Sequence, residues 1–464
     1  MKLLSGLATG KSFLMLSVAA GLLASANAFA ANLLEVHDQA LRNDPQLQAA
    51  DFRRHAGKEN KPQAWANFLP QANISYRRNY GNGRFFRDLS AFPEQESPDV
   101  PNEISTRNIT FTVTQRLFSF RDFAQLKQAD ALVNQNEAQY RTAYQDFLLR
   151  TAQRYFDVLT GEDGLRFAKA EEKALQRQFE QAEQRFEVGL TAVTDVHEAR
   201  ASYDGARARV IVAENTLQDA YEALREITGT EYNQLDVLRD EVPLESPDPN
   251  DSSDWVLLAL TNNPSLEDSR MAAESARQNI RIQRAANYPE LDLVASHSRF
   301  LNGKNSIFDD FGNEIGQVSQ FSRDRQISFQ LNIPLFQGGR TISRTRQAKF
   351  EHNATLKDLE RTERTTVRNT QNAFRDVEAG IQQVEARQQA LVSAQSALEA
   401  TQAGFEVGTR TIVDVLLAEQ RFFQAQRDYS QARHQFILDH LTLRQAAGVL
   451  DGSDLVDVNR LLLP

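Results

Sequence analysis

The sequence predicts a mainly α fold with a small β part, in which one structural unit is built twice. The first observation is an internal repeat, since the motif Phe-Glu-Val-Gly at 186–189 returns 219 residues later at 405–408. A period this long duplicates half a protein and is not a solenoid unit. The second observation is a pair of proline-free stretches, 122–188 and 341–407, far longer than an average globular helix. The third is a strand-like alternation of apolar and polar residues before each stretch.

The N-terminus predicts export from the cytoplasm. Residues 1–30 have the basic, apolar and small-residue regions of a signal peptide, with Lys2 and Lys11 near the start and a cleavage site after Ala30. No other segment contains the roughly 18 consecutive apolar residues of a transmembrane helix. A span across a membrane would therefore have to use strands.

The composition excludes several kinds of site. The chain has no cysteine, which excludes disulfides, thiol catalysis, thiolate metal sites and a lipid-bearing cysteine. Loss of the signal peptide takes the net charge from −10 to about −12, and an acidic chain argues against a nucleic-acid partner. The histidines show no metal-binding spacing, and no nucleophile or phosphate-loop motif is present. We therefore expect no enzymatic activity and no cofactor.

Each repeat is predicted to contain a helical stretch, two strands and a long helical hairpin, in that order. The helical stretches, 34–68 and 255–287, end before a proline that cannot continue them. Two connecting segments, 231–254 and 449–464, complete the chain. The predicted elements are the strands 69–79 and 105–117 and the hairpin 122–228 of the first repeat (31–230), and the strands 289–300 and 324–336 and the hairpin 340–447 of the second repeat (255–448).

The second strand of each pair carries the clearest β signal. Ile109, Phe111 and Val113 alternate with threonines, and the apolar residues of 327–333 alternate with polar ones. A period of two gives each strand one apolar face and one wet face. The segments 81–101 and 301–322 are rich in turn-forming residues and are predicted as exposed loops.

Each long stretch predicts a single helix that, at about 1.5 Å per residue, spans roughly 100 Å. Gly189 and Gly408 are predicted to cap these helices in the left-handed conformation, after which a second helix runs back. On the first returning helix, Tyr203, Val210 and Leu217 recur every seven residues with alanines between them. This spacing is typical of a coiled-coil seam, although ordinary packing of one helix pair produces the same stripe.

Four strands in one chain cannot close a membrane barrel, which needs about eight or more. An open sheet edge in lipid would leave backbone groups unpaired at several kcal/mol each. Two arrangements remain open from the residues alone. Either the strands form a small soluble sheet, or several chains pool them, in which case three chains supply twelve.

The hairpin ends resemble those of the TolC family of outer-membrane channels. Residues 186–196 and 405–415 are similar to the two hairpin tips of that family, and 334–339 resembles its passage from strand to helix. The order of elements matches from 32 to 448. The resemblance implies a homotrimer whose twelve transmembrane strands form one β-barrel, continued through the periplasm by a twelve-helix α-barrel.

The resemblance also implies a periplasmic gate made of polar links between the hairpin tips. Arg410 matches the gating arginine of the family, and its partners on the other hairpin are Thr194 and Asp195. Such a link is charge-assisted and directional, but it contributes only about 0–1 kcal/mol at a wet entrance. An acid at Asp195 also suits the first turn of any helix. The implied gate residues are Gln178, Thr194, Asp195, Gln402, Phe405 and Arg410.

Asp414 matches an entrance aspartate that threefold symmetry would make into an acidic ring, which attracts cations. The macrodipole of a first helical turn explains the same residue without a ring. The chain departs from the family at three positions: Phe405 replaces a tyrosine, Gln402 a glutamate, and Leu417 a second aspartate. We therefore expect a looser gate and a weaker cation block than in members that keep those groups.

The turns 188–191 and 407–410 resemble the tips on which a periplasmic adaptor docks. A helix cap followed by a tight turn is the purely structural explanation of the same glycines. The implied docking residues are Val188, Gly189, Leu190, Thr191, Val407, Gly408 and Thr409.

The function that the resemblance implies is a passive export duct in the outer membrane and periplasm of a Gram-negative bacterium. Its implied partners are two further copies of the chain, outer-membrane lipid, a periplasmic adaptor, and an inner-membrane transporter of the RND, ABC or MFS class. The cargo stays open between multidrug efflux and type I protein secretion. The alternatives are a structural trimeric coiled-coil surface protein, which would not need two amphipathic strand pairs, and a soluble periplasmic scaffold.

Overall fold

The computed structural model describes residues 30–86, 99–302, 305–308, 314–318 and 321–463. The predicted signal peptide, apart from Ala30, lies outside these residues. In chain order the elements are α1 (Leu33–Asn43), α2 (Pro45–Lys58), α3 (Asn60–Ala66), β1 (Gln71–Phe86), β2 (Asp99–Ser119), α4 (Phe120–Glu187), α5 (Val193–Thr228), β3 (Val237–Leu238), α6 (Ser252–Asn262), α7 (Pro264–Ala285), β4 (Glu290–Asn302), β5 (Asn305–Phe308), β6 (Glu314–Val318), β7 (Phe321–Asn332), α8 (Arg340–Glu406), α9 (Ile412–Ala446), α10 (Gly452–Asn459) and β8 (Leu462–Leu463).

The helical stretch that opens each repeat is broken, which corrects the prediction of one continuous stretch. In the first repeat one break lies at Asp44, whose side chain accepts a hydrogen bond from the backbone N–H of Gln46 and caps α2, and another lies at Glu59, between α2 and α3. In the second repeat the break lies at Asn263, which caps α7 in the same way as Asp44 caps α2. A proline follows each cap, and because it has no N–H it suits the first position of a new helix.

One long helical hairpin forms most of each repeat. α4 has 68 residues and returns through the 36 residues of α5, while α8 has 67 residues and returns through the 35 residues of α9. None of the helices in the described ranges has a stretch apolar enough to cross a membrane. The hairpins lie side by side, with α4 in contact with α9.

The four main strands form one antiparallel sheet in the order β1-β2-β4-β7. β1 and β2 are longer than predicted and extend into the predicted loop 81–101, while β5 and β6 pair within the predicted loop 301–322. β7 ends at Asn332, four residues before the predicted end. The reason is local, since Pro334 has no N–H to donate and Gly338 and Gly339 turn the chain with positive φ.

Cross-strand register separates the two faces of this sheet. Ile74 lies opposite Phe111, and Leu293 lies opposite Phe329, on what we call the apolar face. The other face carries mostly short polar side chains, such as Ser75, Thr110 and Ser298. The alternation predicted for the second strand of each pair is therefore shared by all four strands.

The largest core lies midway along α4, between the sheet at one end and the hairpin tips at the other. Phe147 and Tyr155 are completely buried there among residues of α1, α5, α9 and α10. The Tyr155 hydroxyl donates to the carbonyl of Asp236, at 2.8 Å. Pairing of β3 with β8 brings the two predicted connecting segments together at this level.

An asparagine ties the start of each repeat to the end of its returning helix. Asn43 Nδ2 donates to the carbonyl of Thr228 at 2.7 Å, and Asn263 Nδ2 donates to the carbonyl of Ala446 at 2.9 Å. Carbonyls at a helix C-terminus have no partner within the helix, so each amide satisfies one of them. The two repeats thus close by the same contact.

Candidate functional site

Both hairpins reverse through the same backbone motif. Gly189 and Gly408 adopt φ of 77° and 78°, in the left-handed region that favours glycine. The N–H of Leu190 donates to the carbonyl of Arg185 at 2.8 Å, and the N–H of Thr409 donates to that of Gly404 at 2.8 Å. These bonds make a Schellman motif, the most common way to end a helix at glycine.

Apolar side chains stand exposed at both tips. Val188 and Leu190 are each 69% exposed in the first tip, and Val407 is 76% exposed in the second. A Cβ added to Gly189 or Gly408 would meet no atom within 4 Å. The residues predicted to dock a partner thus form two open surfaces of similar shape.

The returning helix α9 begins with a side-chain cap that α5 lacks, and Asp414 is part of that cap. Thr411 and Asp414 form a capping box at the start of α9, in which Asp414 accepts from the Thr411 N–H at 3.0 Å and from its hydroxyl at 2.8 Å. These two bonds, with the nearby charge of Arg410, hold the pKa of the Asp414 carboxyl below its usual range. Asp414 therefore caps a helix and remains ionised at the second hairpin tip.

A buried polar contact joins the two hairpins just above the tips. Gln178 Nε2 of α4 donates to Glu419 Oε1 of α9 at 3.0 Å, and Gln402 Nε2 of α8 makes a longer contact of 3.4 Å with the same oxygen. Glu419 is only 3% exposed, and burial raises the pKa of its carboxyl. Two predicted gate residues thus meet at a third residue that the sequence analysis missed.

A sequence signal for Glu419 exists. Ile412, Leu416 and Phe423 are buried along one stripe of α9, and Glu419 occupies the position of that stripe between Leu416 and Phe423. An acid in a helical stripe of otherwise apolar spacing marks a buried polar contact. The stripe predicts the burial of Glu419, but it does not identify the residues that face it.

Within the described part of a single chain, Arg410 makes no side-chain hydrogen bond or ion pair with Thr194 or Asp195, and the predicted gate link stays a prediction. Among the described residues, the Asp195 carboxylate accepts from the Thr191 hydroxyl of its own turn, while Gln178 is bonded to Glu419. The backbone N–H of Arg410 donates to the carbonyl of Gly404 at 3.2 Å, which holds this residue beside its own turn.

Apolar packing holds the tips together around these polar groups. Ile412 and Leu416 of the second hairpin are buried against Leu175 and Ala199 of the first. The guanidinium of Arg185 lies 4.8 Å from the centre of the Phe405 ring, in a cation–π contact between α4 and α8. Phe405 therefore contributes to the tip without the hydroxyl that a tyrosine would supply.

A second polar contact lies one heptad further from the tips. Glu171 is fully buried and binds Arg209 of α5 at 2.8 Å and Arg427 of α9 at 3.1 Å. Because Glu171, Gln178 and Arg185 are spaced by seven, they form one face of α4, and each contacts the second hairpin. This face is the contact surface between the two hairpins.

Within the described ranges, no group of three or more histidine, aspartate or glutamate side chains could hold a metal ion. The tips combine helix contacts, exposed turns and an ionised helix-capping acid.

The chain matches the family model described as outer membrane efflux protein twice, over residues 36–230 and 255–449. Both ends of the second match lie 219 residues after those of the first, which is the offset of the internal repeat. The outer membrane protein TolC of Vibrio cholerae is 38% identical to this chain over 446 residues, covering 96% of this chain and 97% of that protein.

Two further relatives cover nearly the whole chain. The TolC protein of Escherichia coli is 32% identical and covers 93% of this chain and 85% of its own length. The alkaline protease secretion protein AprF of Pseudomonas aeruginosa is 28% identical, with 94% and 88% covered. Among solved structures, the outer membrane protein VceC of Vibrio cholerae superposes with a TM-score of 0.71 at 20% identity, over 90% of this chain and 96% of that one.

Proposed function

This chain belongs to the outer membrane efflux protein family, and we propose that three copies of it form one export duct. It is a protein of the outer membrane that extends into the periplasm, and its relatives are efflux and secretion channel proteins. We propose that it catalyses no reaction and carries cargo passively, with energy supplied by its partners.

This proposal rests on the two edge strands of the main sheet, β1 and β7. In the part of the chain that the structure describes, β1 and β7 each pair with a main strand on one side only. The two edge strands run in opposite directions because the sheet is antiparallel with four main strands. The free edge of β7 can therefore continue the ladder with β1 of the next copy, and three copies close a barrel of twelve strands.

The faces of the sheet support a barrel in lipid. Ile74, Ile327 and Phe329 are each at least 70% exposed on the apolar face of a single chain. Lipid would cover this face, while the polar face would line a wet interior. The four long helices of each chain would then supply a twelve-helix tunnel that continues the barrel into the periplasm.

The hairpin tips would meet the other parts of the export machine. We propose that Val188, Leu190 and Val407, with the turns that carry them, bind a periplasmic adaptor, which connects the duct to an inner-membrane transporter of the RND, ABC or MFS class. Exposed apolar residues on rigid turns suit such docking, since little conformational freedom is lost on binding. Drug efflux and type I protein secretion both fit this arrangement.

The entrance would be gated at the same end. Glu419 and Gln178 hold the two hairpins of one chain together, with Gln402 on the same Glu419 oxygen, and Arg410 is available for a partner on the neighbouring chain. Threefold symmetry would gather three Asp414 carboxylates, each ionised as a helix cap, into an acidic ring that attracts cations. The gate opens when the hairpins separate.

Disulfide trapping tests the closed trimer, and the absence of native cysteine makes this experiment clean. Asn73→Cys on the polar face of β1 is combined in turn with Gln326→Cys, Ser328→Cys or Gln330→Cys on the polar face of β7. We expect one pair to give covalent trimers in outer membranes on oxidation, with Asn73→Cys alone as the control. The purified trimer should conduct ions across a planar bilayer. Failure of all three pairs would contradict the barrel, and trimers without conductance would favour a structural coiled-coil protein.

A further inference from the structure

The apolar face of the sheet becomes positively charged at the end that lies away from the helices. Register places four side chains in each row of this face, and the row of Ala72, Val113, Ala295 and Ile327 is apolar. Arginines appear in the next three rows, and we call the five of them the arginine belt. The belt consists of Arg78 in β1, Arg107 in β2, Arg299 in β4, and Arg323 and Arg325 in β7.

The belt is exposed and gives one face a strong positive charge. All five arginines are exposed, and none of the sixteen side chains in these four rows is a carboxylate. The guanidinium groups of Arg299 and Arg323 lie 5.0 and 4.8 Å from the centre of the Phe321 ring, which holds them beside each other. On the opposite face at the level of the belt, β1 carries Arg77, and β7 carries the acid Asp324 one row away.

The position of the belt matches one boundary of a membrane. Ten residues separate Arg107 from the exposed Leu117 at the helical end of β2, and nine separate Arg78 from the exposed Leu69. At about 3.3 Å per residue and a tilt near 40°, these spans are roughly 25 Å, the height of the apolar band of an outer-membrane barrel. The belt therefore lies at the edge of the band furthest from the periplasmic helices.

The rows of the belt shift across the sheet. Arg78 and Arg107 lie in the fourth row, Arg299 and Arg323 in the third, and Arg325 in the second. Barrel strands tilt by roughly 35–45°, so a line of constant depth crosses their register diagonally. Such a diagonal can bring arginines of different strands close to one depth, while Arg323 and Arg325, two residues apart on β7, differ in depth by about 5 Å.

We propose that the arginine belt binds the phosphate groups of lipid headgroups in the outer leaflet of the outer membrane, an inference that rests on the proposed trimeric barrel. A guanidinium binds a phosphate through two parallel hydrogen bonds, and neighbouring arginines share its charge. Arginine is costly within the hydrocarbon core but not at its boundary, where headgroups supply anions. Three copies present fifteen arginines as a ring around the duct, which fixes its depth in the membrane.

Titration of the detergent-purified trimer with lipid A, followed by native mass spectrometry, tests the inference. The probes are lipid A with both phosphates and lipid A from which the phosphates have been removed. We expect the phosphorylated lipid to bind about tenfold more tightly or better. Replacing Arg78, Arg107, Arg299 and Arg323 by glutamine should remove this preference, whereas R77Q, on the opposite face, should keep it.

Several results would overturn the inference. The inference fails if the wild type binds the two lipids with equal affinity. It also fails if R77Q loses the preference for phosphorylated lipid as fully as the fourfold variant does. Full competition by millimolar inorganic phosphate would show a site for the free anion and not for lipid. If the fourfold variant does not form trimers, the double variant R323Q/R325Q should lose at least half of the bound phosphorylated lipid. A wild type without trimers or conductance would instead overturn the proposed function.

Discussion

Gln178 of the first hairpin donates a hydrogen bond to Glu419 of the second, with 3.0 Å between Nε2 and Oε1. The amide oxygen of Gln178 and the second carboxyl oxygen of Glu419, Oε2, are also buried, and they have no hydrogen-bond partner in the described part of the chain. A proton on Glu419 suits these two oxygens, since a carboxylic acid can donate to an amide oxygen. The protonation state of one buried acid thus bears on how firmly the hairpins adhere.

The contact at Glu419 should weaken as pH rises. Burial raises the pKa of Glu419 above its ordinary value of 4.5, so the folded tip binds the proton more tightly than the unfolded chain. The contribution of Glu419 to the free energy of unfolding is therefore complete at and below about pH 4.5. It is lost as pH rises through the raised pKa. We expect bilayer conductance to rise with pH over this range, and Glu419→Gln to reduce that dependence. The matched control is Glu399→Gln, at an exposed position of α8, which should keep the wild-type pH dependence. The prediction is contradicted if Glu419→Gln also keeps the wild-type pH dependence of conductance.

Glu171 should stabilise the hairpin contact more than its neighbour does. It is fully buried between two arginines, so Glu171→Gln leaves Arg209 and Arg427 facing each other without a counter-charge. Because both arginines are partly solvated, we expect a loss of roughly 1–3 kcal/mol in the free energy of unfolding. Urea denaturation measures it. Glu172→Gln removes a looser pair, with 3.9 Å to Arg207, and should cost about 0–1 kcal/mol.

His434 should make the protein less stable in mild acid. Its ring is buried beside Thr160, 2.9 Å from Nδ1 to Oγ1, and burial lowers the pKa of the imidazole to about 4. The unfolded chain takes up this proton near pH 6.5, so the stability is present above that pH and is lost as pH falls toward 4. The loss should reach as much as ~3 kcal/mol. His434→Gln should flatten the thermal stability profile between these pH values, and an unchanged profile would exclude His434 as its cause.

The departures from the family at the entrance should loosen the gate. Phe405→Tyr adds a hydroxyl to the ring that packs against Arg185, and Leu417→Asp adds an acid at a side chain that is 46% exposed. We expect Phe405→Tyr to lower the resting conductance and Leu417→Asp to strengthen the block by multivalent cations. Planar-bilayer recordings measure both. If neither quantity changes, these positions have no part in the gate.

The tip glycines should be needed for docking and not for assembly. A side chain at Gly189 meets no neighbour, so the strain is only that of a left-handed backbone, about 1–2 kcal/mol and less for asparagine. We expect Gly189→Trp and Gly408→Trp to leave heat-modifiable trimers in the membrane but to abolish co-purification of the adaptor. Gly189→Asn is the control and should retain the adaptor. Loss of trimers in the tryptophan variants would assign the glycines a structural role alone.

Features that depend on near neighbours along the chain could be predicted from the sequence. The left-handed cap at Gly189 follows from the residue type and its place after a long helical stretch, and the alternation at Ile109 to Val113 follows from a period of two. The end of β7 at Asn332 was missed although Pro334 signals it. Ile333 and Leu335 keep the period of two beyond this point, but Pro334 cannot donate to the ladder.

The contact between the hairpins at Glu419 could not be predicted in the same way. Gln178 and Glu419 are 241 residues apart, and whether they meet depends on the rotation and offset of two helices about their axes. A rotation of one helix by a single residue, about 100°, would remove the contact.

The sequence by itself determined the duplication, the order of the elements, their faces and their turns, because each rests on local backbone preference and the spacing of apolar residues. Only the tertiary structure decided which polar side chains are buried together, as at Glu171 and Glu419, and which remain exposed, as at the arginine belt. The reason is physical. Apolar spacing specifies which face of a helix or strand is covered, whereas a buried charge needs a particular partner at hydrogen-bond distance, and that partner is set by the packing of distant segments.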